Sequence, residues 1–180
     1  MELKSKLMDG PSVKRALIRI SHEIIERNRG TEGLAFIGIR RRGVPLAHEL
    51  AQNIYNIENA EIPVGELDIT LYRDDLSEKD SVATVNSTSV PFDVTGKKII
   101  LVDDVFYTGR TVRAAIEGIF SLGRPECIQL AILIDRGHRQ LPFRADYIGK
   151  NIPTSHSEFV KVLIPEFDGE SGVSLYSIQG

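Results

Sequence analysis

The stretch Lys98-Ile-Ile-Leu-Val-Asp-Asp-Val-Phe-Tyr-Thr-Gly-Arg-Thr111 is the most informative part of the sequence, because an apolar strand, two adjacent carboxylates and a helix start follow one another in it. The run 99–102 is typical of a buried strand. From about Arg110, apolar residues recur at helical spacing on one face: Val112, Ala115, Ile116, Ile119 and Phe120. Gly123 and Pro125 then predict the end of that helix.

Similar patterns lie on both sides of this stretch. The runs 34–39 and 128–134 are apolar enough for buried strands, and helical spacing recurs at 13–28 and 46–54. Further strand candidates are 64–71, 147–148 and 159–164. Because apolar strands alternate with helices, we expect one α/β domain over residues 1–180, with a mostly parallel central sheet flanked by helices.

Composition excludes several classes of protein. The chain is 42% hydrophobic and 26% charged, which is typical of a folded domain rather than a disordered one. No apolar stretch approaches the ~20 residues of a membrane helix, and the start lacks the apolar core of a secretory signal. With Cys127 as the single cysteine, we expect a cytoplasmic protein without a membrane partner. The net charge of −3 excludes a nonspecific polyanion binder, although bases gather in residues 1–30.

The turn at 107–111 has the chemistry of a phosphate site. Successive amides and threonine hydroxyls at a helix start can bind an anion, and Gly109 allows close approach. Asp103 and Asp104 precede the turn and can accept hydrogen bonds from sugar hydroxyls or help to place a magnesium ion. Neither a P-loop nor a Gly-x-Gly-x-x-Gly fingerprint occurs in the sequence. A lone Asp-Asp pair is more often a solvated strand end, but the ordered strand, pair, turn and helix favour a ribose phosphate site.

The segment Leu101-Val-Asp-Asp-Val-Phe-Tyr-Thr-Gly-Arg-Thr111 resembles the 5-phosphoribosyl 1-diphosphate (PRPP) signature of type I phosphoribosyltransferases. The segments 15–23, 65–76 and 135–155 are similar to the PyrR family, whose members are pyrimidine operon regulators and uracil phosphoribosyltransferases. The resemblance implies the type I phosphoribosyltransferase fold with a small hood, formed mainly by about 135–165. It also implies transfer of the ribosyl group from PRPP to uracil, giving UMP and diphosphate.

The resemblance assigns roles to individual residues. Asp103 and Asp104 would hold the ribose hydroxyls and act in catalysis together with Arg73, which begins a flexible lid at about 73–92. Residues Arg41, Arg42 and Gly43 belong to the diphosphate loop, which we define as 40–43. The other residues expected to bind PRPP or UMP are Val105, Phe106, Tyr107, Thr108, Gly109, Arg110 and Thr111. Arg136 and Val160 are candidates for uracil, and Mg²⁺ would bind through PRPP without a dedicated set of protein ligands.

The regulatory half of the resemblance implies binding to the leader messenger RNA hairpin of a pyrimidine operon, with UMP or UTP as corepressor. Arg15, Arg19 and His22 lie at i, i+4 and i+7 on one polar stripe of the first helix. A second basic group follows the 128–134 strand and consists of Arg139, Arg144 and Lys150. Ile18 lies inside the stripe, where an apolar residue is unexpected for an exposed RNA surface. The family forms dimers and larger assemblies, so a homodimer or homotetramer is expected.

Several alternatives remain open from the sequence alone. Residues 40–42 could be a solvated basic turn, and Val160 could be a plain buried strand residue. The first-helix stripe could be an ordinary solvated face, and Ile18 could mark a subunit contact. The enzyme could also use another base, such as a purine or orotate, and have no RNA role.

Overall fold

The computed structural model describes residues 1–72 and 88–178 and contains a five-stranded parallel sheet. Its strands are β2 (Leu34–Ile39), β3 (Val64–Leu67), β4 (Lys98–Phe106), β5 (Cys127–Asp135) and β6 (Tyr147–Asn151). Their order in the sheet is β3-β2-β4-β5-β6, with every neighbouring pair parallel. All residues of β2 are buried, as the continuous apolar run predicts. The mostly parallel sheet expected from the sequence is confirmed.

Helices cover both faces of this sheet. Helices α1 (Gly10–Asn28) and α2 (Gly43–Glu58) pack into one apolar cluster, and α3 (Arg110–Leu122) packs into a second cluster on the opposite face. The side chain of Asp9 caps α1 by accepting the Ser12 N–H at 2.9 Å. Of the apolar residues predicted on one face of α3, Val112, Ala115 and Ile119 are buried, Ile116 is half-buried and Phe120 is 52% exposed. Phe120 is therefore the exposed member of that face.

A second, antiparallel sheet stands beside the first. It has the order β1-β8-β7 and consists of β1 (Glu2–Asp9), β7 (Glu158–Leu163) and β8 (Gly172–Ser177), with the short helix α4 (Pro165–Asp168) before β8. Of these strands, the sequence predicted β7 alone. The interval 135–165 expected to form the hood is divided, since β6 lies in the parallel sheet and β7 in this small one. We call the β1-β8-β7 sheet the small sheet.

The 64–71 strand candidate is shorter in the structure than predicted. Strand β3 ends at Leu67, and a 3-10 turn follows at Thr70–Tyr72. Arg73 and most of the expected lid fall within 73–87, outside the described residues. Two residues after position 87, Ser89 pairs with Glu66 as an isolated antiparallel bridge. Within 1–72 and 88–178, no helix is long and apolar enough to cross a membrane.

Candidate active site

The acid pair lies at the carboxyl end of β4, in the middle of the sheet. Asp103 is buried, and its carboxylate accepts the Asp104 N–H at 2.9 Å. The carboxylate of Asp104 accepts the Val105 N–H at 2.8 Å. Burial, together with the neighbouring charge of Asp104, raises the pKa of Asp103 well above its usual value. Burial also raises the pKa of Asp104, and the nearby Arg42 charge opposes that rise. The pair is therefore best satisfied by donors such as sugar hydroxyls.

The phosphate turn follows the acid pair directly. Gly109 has φ of 95°, and a Cβ at this position would lie 3.3 Å from the Leu141 side chain. The cap residue Gly109 has no side-chain oxygen, and the Arg110 N–H donates to the Thr108 hydroxyl at 3.3 Å, so backbone and hydroxyl donors are gathered at the start of α3. The Thr108 carbonyl accepts N–H groups from Gln140 and Leu141, at 2.9 and 3.2 Å. The segment after β5 thereby braces a turn suited to an anionic group.

The diphosphate loop lies beside the acid pair, because Gly43 permits close packing on β4. A Cβ at Gly43 would be 2.3 Å from the Val102 carbonyl oxygen and 3.2 Å from the Asp103 Cα. The peptide bond between Arg40 and Arg41 is cis. A cavity of about 660 Å³ opens here, lined by Arg40, Arg41, Val44, Pro45, Glu66, Asp68, Thr70, Glu166 and Phe167. Its volume falls within the range of small-molecule sites.

Arg42 is oriented differently from Arg41. Its Nη1 and Nη2 donate to the two carboxylate oxygens of Asp168, at 2.5 and 3.3 Å. The sequence placed Arg42 with Arg41 as a PRPP contact, whereas the structure pairs its guanidinium with α4. Neither Asp168 nor the adjacent Phe167 was predicted at the site, because nothing in the local sequence shows which distant loop they meet.

Arg136 joins the two sheets. Its guanidinium carbon lies 4.0 Å from the centroid of the Tyr107 ring, and its side chain is buried. Nε donates to the Thr154 hydroxyl at 3.1 Å, and Nη2 donates to the carbonyls of Ser155 and Glu158 at 3.3 and 2.7 Å. The sequence predicted a uracil contact for Arg136, and the structure shows a brace between the phosphate turn and β7.

Val160 is 3% exposed, and its side chain belongs to the core beneath the small sheet. A contact between Val160 and a bound base would therefore have to use the main chain. His138 lies nearby, with Nε2 at 2.6 Å from the Thr154 carbonyl oxygen and its ring against those of Tyr107 and His156. No local pattern in the sequence predicts this aromatic group, because its members are far apart in the chain.

The first predicted basic group lies on α1 next to β6, which carries one member of the second group, Lys150. Arg15, Arg19 and His22 are exposed on α1. Arg19 Nη2 donates to the Ile148 and Gly149 carbonyls of β6, at 3.1 and 2.6 Å, and Lys150 follows on the same strand. The two remaining bases, Arg139 and Arg144, are exposed in the segment between β5 and β6. Ile18 is half-buried rather than exposed, so it is less at odds with a polar surface than the sequence suggested.

Comparison with known proteins places this arrangement in a family. A model of the phosphoribosyl transferase domain matches residues 4–166. A protein named "Bifunctional protein PyrR" from Thermus thermophilus is 58% identical over 180 residues, covering 100% of this chain and 99% of the relative. One of the same name from Pelotomaculum thermopropionicum is 61% identical over 170 residues, covering 94% of each chain.

Solved structures show the same fold at much lower identity. A hypoxanthine phosphoribosyltransferase from Trypanosoma cruzi has a TM-score of 0.75 at 18% identity, covering 96% of this chain and 94% of the other. A hypoxanthine-guanine phosphoribosyltransferase from Bacillus anthracis has a TM-score of 0.71 at 17% identity, covering 97% and 98%. The predicted type I phosphoribosyltransferase fold is thus confirmed. With these matches along its whole length, the chain belongs to the PyrR family of phosphoribosyltransferase-domain proteins.

Proposed function

We propose that the chain transfers the 5-phosphoribosyl group of PRPP to N1 of uracil, producing UMP and diphosphate. The observation that carries the proposal is the Asp103–Asp104 pair, with Asp103 buried and Asp104 half-buried, which precedes the phosphate turn and lies next to the diphosphate loop with its cavity. These three features match the hydroxyls, 5′-phosphate and diphosphate of PRPP in that order. The family to which the chain belongs supports the same activity.

The site suits a reaction in which the ribose carries positive charge in the transition state. The C1–oxygen bond to diphosphate breaks, the C1–N1 bond forms, and the N1 proton of uracil is released to water. Carboxylates beside the ribose stabilise the developing charge, while Arg41 and the loop amides stabilise the leaving diphosphate. Arg73 would add a further cation from the lid, as the resemblance implies.

Magnesium fits this donor set as a companion of the substrate. Within the described parts of the chain, no cluster of three or more His, Cys, Asp or Glu side chains could hold a metal ion. As the resemblance implies, we propose that Mg²⁺ would bind through PRPP, with Asp103 and Asp104 as the residues that would help to hold it. When bound, it would neutralise charge on the diphosphate as that group leaves.

A panel of bases tests the substrate. Purified protein is incubated with PRPP and Mg²⁺ and with uracil, orotate, hypoxanthine or guanine, and the nucleotide formed is measured by chromatography. We expect UMP to form from uracil far faster than any other nucleotide. A preference for a purine or for orotate would overturn the assignment and support the alternative transferase.

We also propose that the chain binds the leader RNA hairpin of a pyrimidine operon with UMP or UTP as corepressor. The supporting observation is that the bases of α1 are exposed beside β6, which carries the exposed Lys150, and that Arg139 and Arg144 are exposed in the segment before β6. Contacts of lysine and arginine with phosphates dominate the affinity for RNA, and His22 could stack on an unpaired base.

A gel shift with the leader RNA tests this role, with and without UMP. We expect Arg144→Ala to weaken the UMP-dependent shift by about tenfold. Arg113→Ala is the matched control, because Arg113 is exposed on α3 and paired with Glu117. No shift by the wild type at low salt would overturn the RNA role and leave the enzymatic proposal standing.

This function places the chain in the cytoplasm, where PRPP and nascent messenger RNA are present. A homodimer or homotetramer would join the α1 helices of different subunits into one basic surface. Light scattering coupled to size-exclusion chromatography measures the assembly, and a monomer at micromolar concentration would contradict this part of the proposal.

A further inference from the structure

The two neighbouring arginines of the diphosphate loop have unequal surroundings. Both stand against the Phe167 ring, with guanidinium carbons 5.0 Å (Arg41) and 5.5 Å (Arg42) from its centroid. Arg41 lines the cavity of about 660 Å³, where a substrate phosphate could reach it. Arg42 instead donates two hydrogen bonds to Asp168, in the paired geometry that fixes a guanidinium most firmly.

Asp168 is itself held by three groups. The side chain is 11% exposed, and it accepts the Ile164 N–H at 2.9 Å in addition to the Arg42 bonds. Lys161 Nζ of β7 lies 3.3 Å from its other oxygen. The hydrogen bonds from Arg42 and Ile164 lower the pKa of Asp168 far below its ordinary value, so the carboxylate is charged at neutral pH. The diphosphate loop is thereby tied to α4 and the small sheet.

We propose that Asp168 is a positioning residue that acts through Arg42 and holds the diphosphate loop in the shape that binds the leaving group. Arg41 and the loop amides then meet the diphosphate, and Arg42 does not. The inference rests on the proposed phosphoribosyl transfer and adds to it a division of labour between two adjacent arginines. It also assigns a role to α4, which lies more than a hundred residues from the loop in sequence.

The opposite arrangement makes the opposite prediction. If Arg42 bound the diphosphate directly, Asp168 would compete for it, and Asp168→Asn would release a cation and strengthen binding. Removing a negative charge near an anion site also strengthens anion binding by simple electrostatics. A positioning role requires the reverse, because the loop loses its anchor.

Calorimetry with PRPP, diphosphate and UMP, each with Mg²⁺, distinguishes these cases. We expect Asp168→Asn to weaken the binding of PRPP and of diphosphate by about tenfold, because a charged hydrogen bond is lost. The affinity for UMP should change by less than about twofold. UMP is the internal control, because it carries the ribose and 5′-phosphate without a diphosphate. Arg42→Gln should behave like Asp168→Asn, and the double variant should be no weaker than either single one. Arg41→Gln should weaken the binding of PRPP and diphosphate further when it is combined with Asp168→Asn, because Arg41 contacts the diphosphate independently of Asp168.

Glu170→Gln is the matched control for charge, because Glu170 is an exposed acid two residues further along the chain. It should leave all three affinities unchanged. Unchanged or tighter PRPP binding by Asp168→Asn would overturn the positioning role, as would an equal loss for UMP and PRPP. If the wild type binds neither PRPP nor diphosphate, the proposed function fails first, and the two failures are thus distinguished.

Discussion

At the scale of single residues, Asp103 combines a functional advantage with a cost in stability. Its burial raises its pKa, so the folded protein binds this proton more tightly than the unfolded chain does. The protonated Asp103 carboxyl therefore contributes its full stabilisation of the fold at pH values below its unfolded pKa of about 4. This contribution is lost as the pH rises through the higher pKa of Asp103 in the folded protein. At neutral pH the folded protein carries a buried carboxyl that water would solvate better.

Asp103→Asn should consequently stabilise the protein while inactivating it. The amide oxygen can still accept the Asp104 N–H, and the buried negative charge is removed. We expect the free energy of unfolding of the variant to exceed that of the wild type by more at pH 8 than at pH 4. Transfer to uracil should fall by about a hundredfold or more. Urea titrations at both pH values and a kinetic assay measure this, and a variant that is less stable at pH 8 than the wild type would contradict it.

The second prediction for a single residue concerns Gly43, where the close contact with β4 leaves no room for a side chain. Helix propensity alone predicts that Gly43→Ala is stabilising by about 1 kcal/mol. The Cβ would instead lie 2.3 Å from the Val102 carbonyl oxygen, so the loop must move away from β4. We expect a loss of about 1–3 kcal/mol in stability and at least tenfold weaker PRPP binding. Thermal unfolding and calorimetry measure both.

Gly10→Ala is the control for this experiment. A Cβ at Gly10 would lie 3.5 Å from the Ser171 carbonyl oxygen, an ordinary contact, and Gly10 also begins a helix. It should leave PRPP binding unchanged. Equal behaviour of the two alanine variants would show that the close approach at Gly43 does not constrain the loop.

At the scale of elements, the buried Arg136 connects the end of β5 to β7 through one hydrogen bond to Glu158 and to the segment before β7 through two, at Thr154 and Ser155. Its guanidinium also stacks on Tyr107. Arg136→Lys keeps the charge but cannot reproduce the planar fork. We expect a loss of about 2 kcal/mol in stability and a higher KM for uracil with a nearly unchanged KM for PRPP. Arg124→Lys, on an exposed arginine, should change neither. A higher KM for PRPP without a higher KM for uracil would contradict this role for Arg136.

Arg19 has a comparable double role between α1 and β6. Its guanidinium bonds two β6 carbonyls, whereas Arg15 reaches only as far as Ser12 within its own helix. We expect Arg19→Ala to lower stability by about 1 kcal/mol and Arg15→Ala to leave it unchanged. Both should weaken RNA binding and reduce its salt dependence. A loss of RNA binding confined to Arg19→Ala would indicate that α1 acts by shaping β6 rather than by meeting phosphate.

The difference between what the sequence predicted and what it missed has a physical basis in these elements. Strands β2, β4 and β5 are long apolar runs, and the acid pair and phosphate turn are contiguous, so local pattern is sufficient to find them. Strand β1 has a mixed polar sequence and becomes a strand by pairing with β8 from the other end of the chain. The Arg42–Asp168 pair spans 126 residues and is of the same kind, while the hydrogen bonds of Arg136 span 18 to 22 residues and still cross from one sheet to the other. No local periodicity encodes them.

At the scale of the whole molecule, the small sheet makes the two ends of the chain depend on each other. Glu2 pairs with Ser177 and Lys6 with Ser174, so β1 covers the edge of β8, and β8 covers β7. The parallel sheet contains none of these strands. We therefore expect the small sheet to open at a lower free energy than the parallel sheet.

Removing residues 1–8 tests this separation, because Asp9 remains to cap α1. Amide hydrogen exchange should show that β8 and β7 lose protection, while β2 and β4 keep most of theirs. Since Arg42 is tied to α4 between β7 and β8, PRPP binding should weaken together with that protection. Leu3→Ala, at a half-exposed position of the removed strand, is the mild control and should change little. Equal loss of protection in β2, β4 and β8 would show that the two sheets unfold as one unit, and the link from the small sheet to the diphosphate loop would then need another explanation.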